Sequence, residues 1–210
     1  MIPVFAGIND MTNYPPRHHQ DDNHEHMIEV IKTYPLATLI SVKENQPLIS
    51  HLPLIYSDGK LIGHLDKYNP QAELLKDNHD VTFIFSGPQC YISPSIYSTT
   101  QLPTWNYIMV HLKGKVKEII DSAAIKQSMV DMTSFLEAPE HNYTLELDNP
   151  KMAQFISYVR GFEIDITHWE GKFKLSQDKK PKDMVSARNE LIRANQESIQ
   201  TLLDQVFKIH

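Results

Sequence analysis

The residues with the most chemical content lie between Val81 and Tyr107, VTFIFSGPQCYISPSIYSTTQLPTWNY. Tyr91, Tyr97, Trp105 and Tyr107 are interleaved there with small hydroxyl and amide side chains. Flat apolar faces beside a few fixed polar groups suit a planar, ring-bearing ligand. The competing reading is that the aromatics only fill a barrel. Asn69-Pro70-Gln71 reads as the start of a short helix, whose free N–H groups and positive dipole end suit an anion. Lys67 and His64 stand just before it and add charge or donors. A plain helix cap with a solvated Lys67 explains the same residues. His51, on the strand Ser50-His51-Leu52-Pro53, reads either as a ligand contact or as a satisfied barrel histidine.

Other reactive side chains point elsewhere. His18, His19, His24 and His26 beside Asp21, Asp22 and Glu25 resemble a metal cluster, but two histidines spaced by two cannot share one helical face. The expectation is therefore no metal site. Cys90 is the only cysteine, has no neighbouring histidine to activate it, and reads as a packed thiol. Lys113, Lys115 and Lys117 alternate along a strand, and Lys172, Lys174, Lys179, Lys180 and Lys182 form a second basic run. DNA binding requires these to make one stripe; a solvated charged face is the plainer reading.

The elements that must position these groups follow from periodicity. A helix starts near Asp22, with Met27, Val30, Ile31 and Tyr34 on one face and Pro35 as its stop. Strands are expected at 36–42, 48–56 and 61–65, the last two joined by the Ser57-Asp58-Gly59-Lys60 hairpin turn. A short helix runs from Asn69 to about Lys76. Strands 81–85 and 90–92 are separated by a turn at Ser86-Gly87-Pro88, and a further strand runs from Pro103 to about Ile119. Helices begin at Asp121 or Ser122 and at Asn149-Pro150, the second ending at Gly161. Phe162–His168 and Lys172–Leu175 then read as strands turned at Glu170-Gly171, and a final helix occupies the C-terminus. Hairpin spacing indicates a small antiparallel barrel with helices outside it.

The chain has 210 residues, 41% hydrophobic and 22% charged, with a formal net charge of −6 and a pI near 6.0. That length buries a substantial core, and the charge supplies no general pull toward nucleic acid or anionic membrane. No apolar run reaches membrane-spanning length, and no leader pattern opens the chain. A soluble, cytoplasmic protein is expected.

Several strings occur together in order: Tyr14-Pro15-Pro16-Arg17-His18, Ser50-His51-Leu52-Pro53-Leu54, Gly63-His64-Leu65 with Asn69-Pro70-Gln71, Phe85-Ser86-Gly87-Pro88, Pro103-Thr104-Trp105-Asn106-Tyr107 and Gly171-Lys172-Phe173-Lys174-Leu175-Ser176-Gln177. This set resembles the PaiB-type family of FMN-binding negative transcriptional regulators, over roughly residues 14–178. Gln89, Ile96 and Ser98-Thr99-Thr100 depart from the family's common His, Trp and Pro-Ser-Lys.

The resemblance implies a mainly β fold, an antiparallel split β-barrel with flanking α-helices and a C-terminal helix. It implies residues 1–13 as an extension, 14–178 as the FMN-binding domain and 179–210 as a C-terminal helix packing on the barrel or a partner. It further implies a homodimer with FMN at the interface. Ser50, His51 and Leu52 would run along the flavin ring, while His64, Lys67, Asn69 and Gln71 would cradle the phosphate. Thr104, Trp105, Asn106 and Tyr107 would complete the pocket, with Lys174 a flanking contact. A flavin-dependent oxidoreductase using the same pocket, or a haem-binding split barrel, are the alternatives.

Overall fold

The computed structural model describes residues 15–195 and 200–207. The chain is mainly antiparallel β, with eight strands and flanking helices. After a 3-10 turn at Arg17–His19 come Gln20–Asp21 (β1), helix His24–Thr33 (α1), Leu36–Lys43 (β2), Gln46–Pro53 (β3), Ile55–Ser57 (β4) and Lys60–Asp66 (β5). Then follow Asp80–Ile92 (β6), Thr104–Ile119 (β7), helices Ser122–Glu137 (α2) and Pro150–Phe155 (α3), and Val159–Lys174 (β8). Pro181–Asn195 (α4) and Gln200–Phe207 (α5) close the chain. The sheet order is β3-β2-β6-β7-β8-β5-β4, with β1 paired to β8.

The described residues form two compact units. One holds 24–87 and 109–170; the other holds 15–23, 88–108, 171–195 and 200–207. In the first, β2 pairs with β3 from Leu36↔Pro53 to Lys43↔Gln46, and β5 pairs with β8 from Lys60↔Asp165 to Asp66↔Val159. Val30, Leu39, Leu61, Phe83 and Phe162 are wholly buried there. Each such side chain contributes about 1.5–3 kcal/mol on leaving water. In the second unit, Ile92, Ile108, Phe173, Leu175 and Leu191 form the core.

Three expected breaks do not occur where the sequence placed them. The strand does not turn at Ser86-Gly87-Pro88; β6 runs through. Its pairing with β2 ends at Ala37↔Phe85, so the missing N–H of Pro88 interrupts no bond on that side. Gly161 stops no helix, and Glu170-Gly171 makes no turn; both lie inside β8. A Cβ at Gly161 would stand 3.1 Å from the Ile125 side chain, closer than an ordinary contact, and Gly171 is needed because a Cβ would strike the backbone oxygen of Asp21 in β1. Conversely, the expected strand 48–56 breaks at Leu54, which is buried and donates its N–H to Pro35 O at 2.9 Å. That break carries the chain from one edge of the sheet to the other. The segment after Asn69 is a four-residue 3-10 turn, Pro70–Glu73.

The expected extension at 1–13 lies outside the described residues, as does Ile199 of the expected C-terminal helix. No described helix is long and apolar enough to cross a membrane.

Candidate functional site

A cleft of about 280 Å³ opens in the second unit between the start of β7 and the end of β8. Its lining comes from His19, the segment Gln101–Thr104, Asn106, and the run Lys174, Ser176, Asp178 and Lys179. Alternation along β7 explains which side chains reach it. Thr104 and Asn106 share one face, while Trp105 and Tyr107 take the other. Trp105 is 49% exposed and donates its indole N–H to Gln89 Oε1 at 3.1 Å, beside the Tyr91 ring. The expected pocket wall of four consecutive residues therefore divides, with only Thr104 and Asn106 lining the cleft.

Buried polar groups form the floor. Asn106 is 1% exposed, and its amide Nδ2 donates to Ser176 Oγ at 3.0 Å. The Tyr97 hydroxyl meets the same Ser176 oxygen at 2.8 Å. Ser176 is buried in the left-handed region with φ +65°, an uncommon backbone state for a serine, which this network holds in place. Asn106 is thus a strut and not a free amide. Burial pushes the His19 imidazole below its ordinary value, against the opposing effect of its hydrogen bond with Gln177. Lys179 pairs with Asp178 at 2.6 Å, whereas Lys174 makes no ion pair among the described residues. Among the described residues the cleft offers one cation without an ion pair, hydroxyls and an imidazole.

The other expected site residues lie in the first unit. Asn69 Oδ1 accepts the Gln71 N–H at 2.9 Å, and the Ala72 N–H goes to Asn69 O at 2.8 Å. Pro70 has no N–H, so the first donors of this turn are already taken. Gln71 is buried, and its amide donates toward Leu39 O, Ser41 Oγ and Leu48 O, bracing the β2–β3 hairpin. Asn69 Nδ2 donates to Ser50 Oγ at 2.9 Å. Lys67 reaches Ser157 O at 3.0 Å and lies 4.2 Å from the Tyr158 ring centroid. His64 is largely buried, its pKa lowered by that burial, and its Nδ1 has no hydrogen-bond partner.

His51 points away from Ser50 and the buried Leu52. It meets Thr38 Oγ1 at 3.1 Å on the outer face of β2–β3, where Leu36, Val42 and Ile49 are each about 60% exposed.

The alternating lysines are partly neutralised. Lys115 pairs with Asp80 at 2.7 Å and Lys117 approaches Glu163 at 3.7 Å. Burial, with the Glu190 charge behind it, pushes the Cys90 thiol up to about 11, as a packed thiol requires.

Residues that sequence reading did not single out for the site are His19, Gln101, Leu102, Asp178 and Lys179. The string Lys174-Leu175-Ser176-Gln177, which starts at the last residue of β8, was the available signal for its C-terminal end. Nothing in spacing linked His19 to it, because that contact spans 158 positions.

Residues 13–168 match a protein family described as "Putative FMN-binding domain". Among curated proteins, the chain is 27% identical over 184 residues to the Bacillus subtilis protein named "Protease synthase and sporulation protein PAI 2", covering 85% of this chain and 88% of that one. It is 28% identical over 198 residues to an uncharacterised protein of Emericella nidulans, covering 71% and 78%. Among solved structures, the FAD and haem binding protein of Mycobacterium smegmatis superposes with a TM-score of 0.63 at 15% identity, covering 80% of each chain. The flavocytochrome Anf3 of Azotobacter vinelandii gives 0.62 at 14% identity, covering 80% and 75%. At these identities the structural likeness establishes the fold alone, and that fold is the split-barrel class the sequence indicated.

Proposed function

Because the chain belongs to the FMN-binding domain family matched over residues 13–168, with a flavin as its cofactor, we propose that it holds FMN with the phosphate in the Lys174 cleft, at an interface between two copies of the chain. The observation that carries this reading is Lys174, without an ion pair among the described residues, beside Thr104 and Lys179 in one concave site. The donor set fits the group: a phosphate dianion takes charge-assisted hydrogen bonds from ammonium and hydroxyl groups. When bound, FMN supplies redox chemistry; the chain's own residues here bind and orient it.

The cleft is at the small end of ligand pockets, which run to about 300–1,000 Å³. It suits the phosphate and part of the arm, leaving the ring to be covered elsewhere. The exposed apolar face of Leu36, Val42 and Ile49 supports a second copy as that cover, since single-chain surfaces rarely leave such a patch bare. On this reading residues 14–178 carry the flavin site and the C-terminal helices brace it.

A regulatory role rests on the likeness to the B. subtilis protein, whose name ties it to protease synthesis and sporulation. The ion-paired Lys115 and Lys117 weigh against direct DNA contact along that strand. The absence of any second cysteine agrees with a cytoplasmic protein. The test is the visible spectrum and solution mass of the purified protein. A flavin spectrum, or uptake of micromolar FMN with fluorescence quenching, on a particle of two chains is expected. Colourless protein that ignores FMN overturns the reading.

A further inference from the structure

One cluster at the same cleft carries a second chemistry. Neighbouring residues on a turn normally point their side chains apart, yet the His18 and His19 ring centroids lie 4.1 Å from each other at 65°. The carboxylate of Asp178 joins them. One ring nitrogen from each histidine and one Asp178 oxygen all fall within 4.8 Å of one another.

His19 is also orientationally fixed. Gln177 Oε1 accepts the Leu175 backbone N–H at 2.7 Å, and the Gln177 amide nitrogen donates to Phe173 O. The amide can therefore not be turned round. Its oxygen stands 3.2 Å from His19 Nδ1, and an amide oxygen only accepts. Nδ1 must carry the proton, which leaves the lone pair on Nε2. A histidine whose far nitrogen donates to a fixed acceptor is the usual arrangement around a ligating imidazole.

We infer that His18, His19 and Asp178 form a site for a divalent first-row transition metal. Two imidazoles and a carboxylate favour zinc, iron, cobalt, nickel or copper over the all-oxygen preference of magnesium and calcium. Ligand bonds of about 2.0–2.2 Å require the donors to close by roughly an ångström. His18 and Asp178 are both exposed and free to rotate that far, while His19 stays fixed. The Asp178–Lys179 pair opposes this only weakly, as exposed pairs do. Lys174 in the same cleft opposes a bound cation and weakens the expected affinity.

The experiment is a calorimetric titration of the chelator-treated, flavin-free full chain with Zn²⁺, with Co²⁺ absorption as a second readout. One Zn²⁺ per chain at micromolar Kd is expected, with Co²⁺ ligand-field bands. His19→Ala should abolish both, and Gln177→Leu, which keeps all three ligands, should weaken Zn²⁺ by about 10–100-fold. Asp178→Asn alters only an exposed side chain, so its expected loss of affinity is readable whatever Gln177→Leu does to folding. No binding, or binding that survives both His19→Ala and Asp178→Asn, overturns the inference. A parallel FMN titration of the same variants separates this outcome from failure of the flavin reading.

Discussion

Asp183 Oδ1, at the start of α4, accepts the backbone N–H of Ser98 at 2.7 Å, and its other oxygen meets Thr99 Oγ1 at 3.4 Å. Those residues lead into Gln101–Thr104, one wall of the cleft. The C-terminal helix thus braces the loop that shapes the proposed phosphate site. The Ser98 N–H, ahead of the Ser98 and Thr99 side-chain contacts, holds the Asp183 carboxyl below the usual carboxylate range.

A depressed carboxyl stabilises the fold above its unfolded pKa, about 3.9, and this contribution is lost as pH falls through the lower folded value. Asp183→Asn should therefore lower the urea midpoint at neutral pH. The gap to wild type should shrink as pH drops below about 4. Urea unfolding across that range, followed by circular dichroism, checks it; a gap constant with pH would contradict the clamp.

Gln71, expected at an anion site, is a strut spanning β2 and β3. Gln71→Leu should cost about 1–3 kcal/mol of stability, because buried acceptors lose their donor. FMN affinity of the folded variant should stay within a factor of two or so. A large loss of flavin affinity with unchanged stability would restore the original role.

These cases show what the sequence made legible. Alternation and hairpin turns located β2 and β5 to within a residue, because each depends on neighbours in the chain, whereas the expected strand 48–56 is split into Gln46–Pro53 and Ile55–Ser57. Breaks were harder. Gly161, Gly171 and Pro88 look like stops locally, yet each answers to a partner far along the chain: α2, β1 and the end of the β2 ladder. The site divides similarly. Lys174 and Asn106 were visible from their strings, whereas His19 joins them only through Gln177.

Ile49 lies opposite Ile40 in the β2–β3 register, on the exposed apolar face proposed as the contact between copies. Ile49→Asp buries an unpaired charge in any such interface. The dimer Kd should rise at least about tenfold, roughly 1.4 kcal/mol, and sedimentation should show single chains at concentrations where the wild type is dimeric. An unchanged dimer would place the contact on another surface.

The central claim is that Lys174 reads the flavin's phosphate, and the most direct measurement compares FMN with riboflavin, which lacks it. Fluorescence-quenching titrations should show wild-type protein preferring FMN strongly. Lys174→Gln should narrow that preference by about ten- to a hundredfold, the equivalent of roughly 1.5–3 kcal/mol for a hydrogen bond to a charged group, while leaving riboflavin binding unchanged. Equal affinity of the wild type for both flavins, or a preference untouched by Lys174→Gln, would contradict the account.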